Sequence, residues 1–254
     1  MGALHEGHAF LLRKGRQIAG KNGLLVSSIF VNPTQFGPHE DFHRYPRPFE
    51  KDRKVCAAAG VDLLFHPRVE DLYPQDASTF VQEDSVSTGL CGAVRPGHFR
   101  GVCTVVLKLF ELVRPQYAVF GRKDYQQCMV LSRMVRDLFL EVSLVFAETV
   151  RERDGLALSS RNQYLTPEQR AQAPVLYQGL QAAQATVRLG ETDPERIRAV
   201  AAARIESAPL ALIEYIQIVD ASTLQPLTAV DRPAIMAVAV RFGQTRLIDN
   251  ISLA

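Results

Sequence analysis

Tyr117-Ala118-Val119-Phe120-Gly121-Arg122-Lys123-Asp124-Tyr125-Gln126-Gln127 is an apolar run that breaks at a glycine into charged residues and then into a helical pattern. Consecutive apolar residues from Tyr117 to Phe120 fit a strand buried on both faces. From Gln126 to Leu138 the apolar positions recur at spacings of three and four, the signature of a helix with one buried face. The couplet repeats along the chain. Strands are expected at Leu24 to Val31, Val61 to His66 and Val142 to Phe146, and helices at Ala9 to Ala19, Pro48 to Ala59 and Val102 to Val113. Such alternation calls for parallel strands joined by crossover helices, so this part of the chain reads as a doubly wound α/β domain.

Beyond Thr166 the pattern changes. Thr166-Pro167-Glu168-Gln169 sets a capping threonine before a proline in the first helical turn, and Ala- and Arg-rich helices follow to about Ser207. Apolar stretches at Ile213 to Val219, Ile235 to Val240 and Arg246 to Ile248 then read as strands, separated by Asp220, Pro226, Pro233 and Gly243. This predicts a smaller α+β unit. The join falls in the polar stretch Asp154 to Leu165, which gives domains at 1–158 and 159–254.

Composition narrows the function. The 254 residues are 47% hydrophobic and 22% charged, an ordinary globular balance. A net charge of only +2 gives no reason to expect nucleic acid or a membrane surface as the partner. The four cysteines, Cys56, Cys91, Cys103 and Cys128, lack C-x-x-C spacing and read as buried thiols of a reducing compartment. No apolar run is long enough to span a bilayer, and His5, Glu6 and His8 interrupt the place where a signal peptide needs its apolar core. A cytoplasmic protein is expected.

Three clusters carry chemistry. In Met1-Gly2-Ala3-Leu4-His5-Glu6-Gly7-His8, the two histidines lie three apart at the opening turn of a helix, and Gly2 and Gly7 flank His5. Small residues let phosphate oxygens approach backbone N–H groups, and the helix start adds partial positive charge. By itself the pair also fits two exposed histidines or two metal ligands, although no third ligand is spaced nearby. Lys123 and Asp124 follow a strand, where ligands of open α/β sheets collect; lysine suits phosphate and aspartate a ribose hydroxyl. The same pair could also be a solvated helix cap. Asp154-Gly155-Leu156-Ala157-Leu158-Ser159-Ser160-Arg161-Asn162 offers hydroxyls and a guanidinium at the domain join, as a phosphate clamp or a hydrophilic linker. Gln35, at the end of the first visible strand, is placed to bond a neutral polar group. Arg95-Pro96-Gly97-His98-Phe99-Arg100-Gly101 and Tyr45-Pro46-Arg47 also read as ordinary turns.

The ordered set M-G-A-L-H-E-G-H, F-V-N-P-T-Q-F, Y-P-R, R-P-G-H-F-R-G-V, F-G-R-K-D-Y-Q-Q, D-G-L-A-L-S-S-R-N and R-L-I-D-N resembles the pantothenate synthetases (pantoate–β-alanine ligases) over essentially the whole chain. The resemblance implies a Rossmann-like nucleotidyltransferase domain of the H-x-G-H superfamily, a smaller C-terminal lid domain and a homodimer. It further implies that ATP with Mg²⁺ converts pantoate to pantoyl-adenylate, and that β-alanine then displaces AMP. His8, His5, Lys123 and Arg161 become catalytic. Met1, Gly2, His5, Gly7, His8, Gly121, Arg122, Lys123, Asp124, Val150, Leu158, Ser159, Ser160 and Arg161 become ATP contacts, with Asp124 at the ribose and Val150 near the adenine. Gln35 and Gln127 match the pantoate-binding glutamines, with Gln35 also near β-alanine. No protein-ligated metal site is implied.

The chain departs from the family pattern at Arg122, where glutamate is common, and around Phe146-Ala147-Glu148-Thr149, usually closer to G-V-P-T. Family members also carry an apolar strand running straight into H-x-G-H, central in the implied 3-2-1-4-5 order. Its neighbours are expected to lack backbone partners here, and Met1 to be an internal methionine of a longer chain. The alternatives to a pantothenate-forming ligase are another H-x-G-H adenylyltransferase, or an N-terminally truncated, inactive nucleotide-binding remnant.

Overall fold

The structure, a computed structural model, describes residues 2–38 and 40–253. It divides into two compact units, Met1–Arg122 with Gln126–Glu148, and Lys123–Tyr125 with Thr149–Ala254. In the first unit the chain runs α1 (Glu6–Ala19), β1 (Val26–Ser28), α2 (Phe49–Ala58), β2 (Leu63–Phe65), α3 (Val69–Leu72), α4 (Leu90–Val94), α5 (His98–Val113), β3 (Tyr117–Gly121), α6 (Tyr125–Asp137) and β4 (Ser143–Ala147). The first residue of α6 belongs with the second unit.

Strand and helix alternate as the apolar periodicity predicts, and the pairing is parallel. β1 pairs with β2 from Val26↔Leu63 to Ser28↔Phe65, and β3 with β4 from Tyr117↔Ser143 to Gly121↔Ala147. The expected doubly wound sheet is therefore split into two parallel pairs, with no ladder among the described residues joining β1 to β3. Helix α1 lies against residues of both pairs. A Cβ at Gly15 would fall 2.7 Å from the end of the Leu25 side chain, just ahead of β1, and 4.0 Å from Val119 of β3, so a larger residue there would have to push the Leu25 side chain aside. Leu4, Leu12, Ile29, Cys56 and Ala59 form one apolar cluster, joined by Phe49, Val55, Val61 and Leu64.

In the second unit, α7 (Pro167–Gln172), α8 (Val175–Arg188) and α9 (Pro194–Glu206) precede an antiparallel sheet ordered β5 (Ala211–Asp220), β6 (Ala234–Phe242), β7 (Thr245–Ser252). The Thr166 cap forms as read: Gln169 N donates to Thr166 Oγ1 at 3.3 Å, and Thr166 N to Gln169 Oε1 at 3.1 Å. Such a cap contributes about 1 kcal/mol. Apolar residues of α8 (Leu176, Leu180, Ala183) and α9 (Ile197, Ala201, Ile205) share one core with Met236, Val238, Val240 and Phe242 of β6. The middle strand is buried at all but Arg241, which explains its unbroken apolar run. No described helix is long and apolar enough to cross a membrane.

Candidate active site

The H-x-G-H turn is built from outside itself. Asp52 on α2 is completely buried, and its carboxylate accepts the N–H groups of Ala3 at 2.8 Å and Leu4 at 2.7 Å. Ala3 has a φ of +50°, a left-handed conformation that costs a non-glycine residue about 1–3 kcal/mol and persists only where its surroundings enforce it. The two bonds to Asp52 supply that enforcement. His5 then caps α1. Gly7 N donates to His5 Nδ1 at 3.1 Å, and His5 N donates to His8 Nδ1 at 3.3 Å. A ring whose Nδ1 accepts carries its proton on Nε2, so the network fixes both imidazoles as Nε2–H donors. Their centroids are 4.1 Å apart. Two N–H donors at the positive end of a helix form an anion-binding arrangement.

Gln35 ends a single 3-10 turn, Pro33–Gln35, and the R-P-G-H-F-R-G segment is its clamp. His98 Nδ1 lies 2.8 Å from the Gln35 carbonyl oxygen, and Arg95 Nη2 donates to the same oxygen at 3.3 Å. Arg95 also pairs with Glu40, with Nε to Oε1 at 2.7 Å. A Cβ at Gly101 would sit 2.3 Å from Thr34 O and 2.7 Å from Gln35 N, so only glycine lets α5 press onto the turn. The Tyr45-Pro46-Arg47 segment closes the following loop, as Arg47 donates to the carbonyls of Phe42 and Tyr45, each at 2.9 Å.

Two adjacent glutamines at the start of α6 have different work. Gln126 is buried and fully bonded: Nε2 donates to Val86 O at 3.0 Å and Gly89 O at 2.7 Å, while Oε1 accepts from Cys91 N at 2.9 Å. Of the pair, only Gln127, half-buried beside it, can offer its amide to a ligand. The two departures from the family pattern meet each other. Gly121 and Ala147 are paired at the ends of β3 and β4, and the next residues, Arg122 and Glu148, form an ion pair at 2.9 Å. Both side chains are exposed, so the pair contributes at most about 1 kcal/mol.

Gly2 lies in the first unit, and Lys123, Asp124, Val150, Leu158, Ser159, Ser160 and Arg161 lie in the second. Lys123 Nζ is 3.5 Å from Asp124 Oδ1, and the Lys123 carbonyl accepts from Asn250 Nδ2 at 2.8 Å. Buried Asp249 takes both arms of the Arg151 guanidinium, at 2.5 and 3.0 Å, and that guanidinium stacks 3.7 Å from the Tyr177 ring centroid. The R-L-I-D-N segment thus anchors Lys123 and the strand-like stretch from Val150. Leu158 N donates to Val150 O at 3.0 Å, which fixes the approach to Ser159. Ser159 caps the 3-10 turn Ser160–Tyr164, its Oγ accepting from Arg161 N at 3.2 Å. Lys123, Ser159, Asn162 and Asp249 line one small recess, where the buried Asn162 Oδ1 meets no donor among the described residues. Met1 lies outside the described residues.

Sequence reasoning missed Asp52, Asn32, Arg151, Asp249 and Asn250 as supports. A signal existed for Asp52: it precedes Cys56 by one helical turn, and both fall on the buried face of α2. An acid on an apolar stripe calls for backbone donors nearby. The partners of Arg151 and Asn250 lie far along the chain, which no local pattern reveals.

Known proteins agree with this architecture. The profile of the pantoate-beta-alanine ligase family matches residues 1–252. Pantothenate synthetase of Thermotoga neapolitana is 53% identical over 253 residues, covering 100% of this chain and 89% of that protein. The Moorella thermoacetica enzyme of the same name is 51% identical, over 100% of this chain and 88% of its own. The crystal structure of pantothenate synthetase from Thermus thermophilus superposes with a TM-score of 0.95 at 49% identity, covering 100% of this chain and 91% of that one. The Francisella tularensis pantoate-beta-alanine ligase, described as complexed with beta-gamma ATP and beta-alanine, gives a TM-score of 0.81 at 33% identity, over 100% and 87% of the two chains. The chain belongs to the pantoate–β-alanine ligase family of ATP-dependent ligases.

Proposed function

We propose that this chain condenses pantoate with β-alanine through pantoyl-adenylate, yielding pantothenate, AMP and pyrophosphate, as a cytoplasmic homodimer. The observation that carries the reading, within a chain of this family, is the pair of imidazoles fixed as Nε2–H donors at the start of α1. A pantoate carboxylate oxygen attacks the α-phosphorus of ATP, and the bond to pyrophosphate breaks. The β-alanine amine then attacks the acyl carbon, the bond to AMP breaks, and the amine proton passes to solvent. No covalent enzyme intermediate is required.

Both reacting partners of the first step are anions, so the barrier falls when charge on the phosphates is offset as it develops. His5, His8, Lys123 and Arg161 take this role, aided by Ser159, Ser160 and the backbone at Gly2, Gly7, Gly121, Arg122 and Leu158. Asp124 holds the ribose, and Val150 lies beside the adenine. Gln35 and Gln127 grip pantoate, which turns a chance encounter into an oriented one. The described residues contain no cluster of acidic, histidine or cysteine side chains that would cage a metal ion. Magnesium, which the family resemblance implies, would supply further charge neutralisation at the phosphates beside His5, His8, Lys123 and Arg161.

The test is AMP release with each substrate omitted in turn. Equal amounts of AMP and pantothenate, formed only with ATP, pantoate and β-alanine together, are expected. A product that retains AMP, or ATP binding without AMP formation, would overturn the proposal.

A further inference from the structure

Around Gln35 lies a set of hydrogen bonds whose direction can be worked out. Asn32, at the head of the Gln35 turn, is 3% exposed. One end of its amide lies 3.1 Å from the carbonyl oxygen of Gly101. That oxygen can only accept, so the Asn32 atom facing it is Nδ2, and the opposite end is Oδ1. Asn32 Oδ1 in turn accepts from the Tyr73 hydroxyl at 2.8 Å and from Thr34 Oγ1 at 2.9 Å. The second Nδ2 hydrogen points at the Gln35 side chain, 3.2 Å away, and the atom there must be the acceptor Oε1. Gln35 is therefore left with Nε2 as its uncommitted end.

We infer that Tyr73 is a positioning residue, the head of an aligned chain Tyr73 O–H to Asn32 to Gln35 that makes Gln35 a hydrogen-bond donor to substrate. The chain selects a substrate oxygen with a lone pair, such as a carboxylate or hydroxyl oxygen, over a group that can only donate. Aligned bonds of this kind polarise one another, so the head of the chain strengthens its end. Tyr73 is firmly seated: Lys108 Nζ lies 4.4 Å from its ring centroid, and the ring stacks with Phe30 at 6.4 Å. Burial pushes its phenol above the usual tyrosine range, which keeps the donated proton in place.

This inference rests on the reading that Gln35 binds pantoate, and a double-mutant cycle separates the two. Tyr73→Phe keeps the ring and its contacts and removes only the hydroxyl. It is expected to raise the pantoate KM modestly, by about 1.5–4-fold, because an aligned neighbour adds only about 10–30% to a hydrogen bond and Thr34 still donates to Asn32 Oδ1, while the ATP KM and Tm stay near their original values. In a Gln35→Ala background the same substitution should leave the pantoate KM unchanged to within about 1.2-fold, because the chain no longer reaches the substrate. Gln35→Glu should be worse for pantoate than Gln35→Ala, since it turns an acceptor toward an acceptor. If Gln35→Ala leaves the pantoate KM unchanged, the reading of Gln35 fails. If Gln35→Ala raises it but Tyr73→Phe has no effect, or an equal effect in both backgrounds, the chain from Tyr73 is refuted. If Gln35→Glu binds pantoate better than Gln35→Ala, the donor polarity is refuted.

Discussion

Asp52→Asn removes one charge and one acceptor from a site completely closed to solvent. The native carboxylate accepts two backbone N–H groups, at 2.8 and 2.7 Å, and needs both oxygens to do so. Asparagine offers one oxygen and one NH₂, so either Ala3 or Leu4 would face a donor instead of an acceptor. Hydrogen bonds to a charged group are worth about 1.5–3 kcal/mol each, and a buried donor left unpaired costs about 1–3 kcal/mol. Losing one bond and weakening the other therefore comes to about 2–4 kcal/mol. At about 2–4 °C per kcal/mol, the unfolding transition should fall by roughly 4–16 °C. The effect extends to chemistry, because Ala3 is held at positive φ just before His5. Misplacing reacting groups by about 1 Å can cost about 10²-fold in rate. Calorimetry with the AMP-release assay measures both. A transition within about 2 °C of the original, with turnover within about threefold, would refute the view that Asp52 holds the H-x-G-H turn.

Four further outcomes are expected. His8→Ala should cut turnover by about two orders of magnitude, the scale of one lost oxyanion donor, with pantoate affinity nearly intact; a change below about threefold removes it from the chemistry. Gly101→Ala places a methyl against the Thr34 and Gln35 backbone and should raise the pantoate KM more than the ATP KM; a uniform loss would show that the clamp acts only on folding. The Asp220 carboxyl lies well below the usual carboxylate range, held by the Ser222 hydroxyl and by the N–H groups of Thr223 and Ser222. A depressed carboxylate stabilises the fold above its unfolded pKa of about 3.9, and this stability is lost as pH falls through the folded value. Asp220→Asn should thus destabilise at neutral pH, with the gap closing in acid; a gap independent of pH would exclude the carboxylate as its source. Burial pushes the Cys103 thiol up to about 12, and all four thiols are buried, so alkylation near neutral pH should require unfolding; rapid labelling of the native protein would contradict this.

Much of the architecture was legible because it is local. The helices expected at Ala9 to Ala19 and Gln126 to Leu138 form as α1 and α6, since a periodic apolar stripe has one way to be buried. The run expected from Leu24 to Val31 yields only the strand Val26–Ser28, since a strand extends only as far as its neighbour pairs with it, and β2 is equally short. Lys123 and Asp124 follow Arg122 directly, yet they cluster with residues after Thr149, a grouping no sequence period carries.

The sequence by itself determined the parallel α/β and antiparallel α+β plan, and its ordered motifs pointed to the family, because spacing and residue type are properties of the chain. Only the tertiary structure decided what holds those motifs in place: a buried aspartate one helix away for H-x-G-H, an arginine–histidine clamp for Gln35, and Asn250 for Lys123. It also decided the direction of the Asn32, Gln35 and Gln126 amides and of the His5 and His8 imidazoles, since donor and acceptor roles are fixed by partners brought together only when the chain folds.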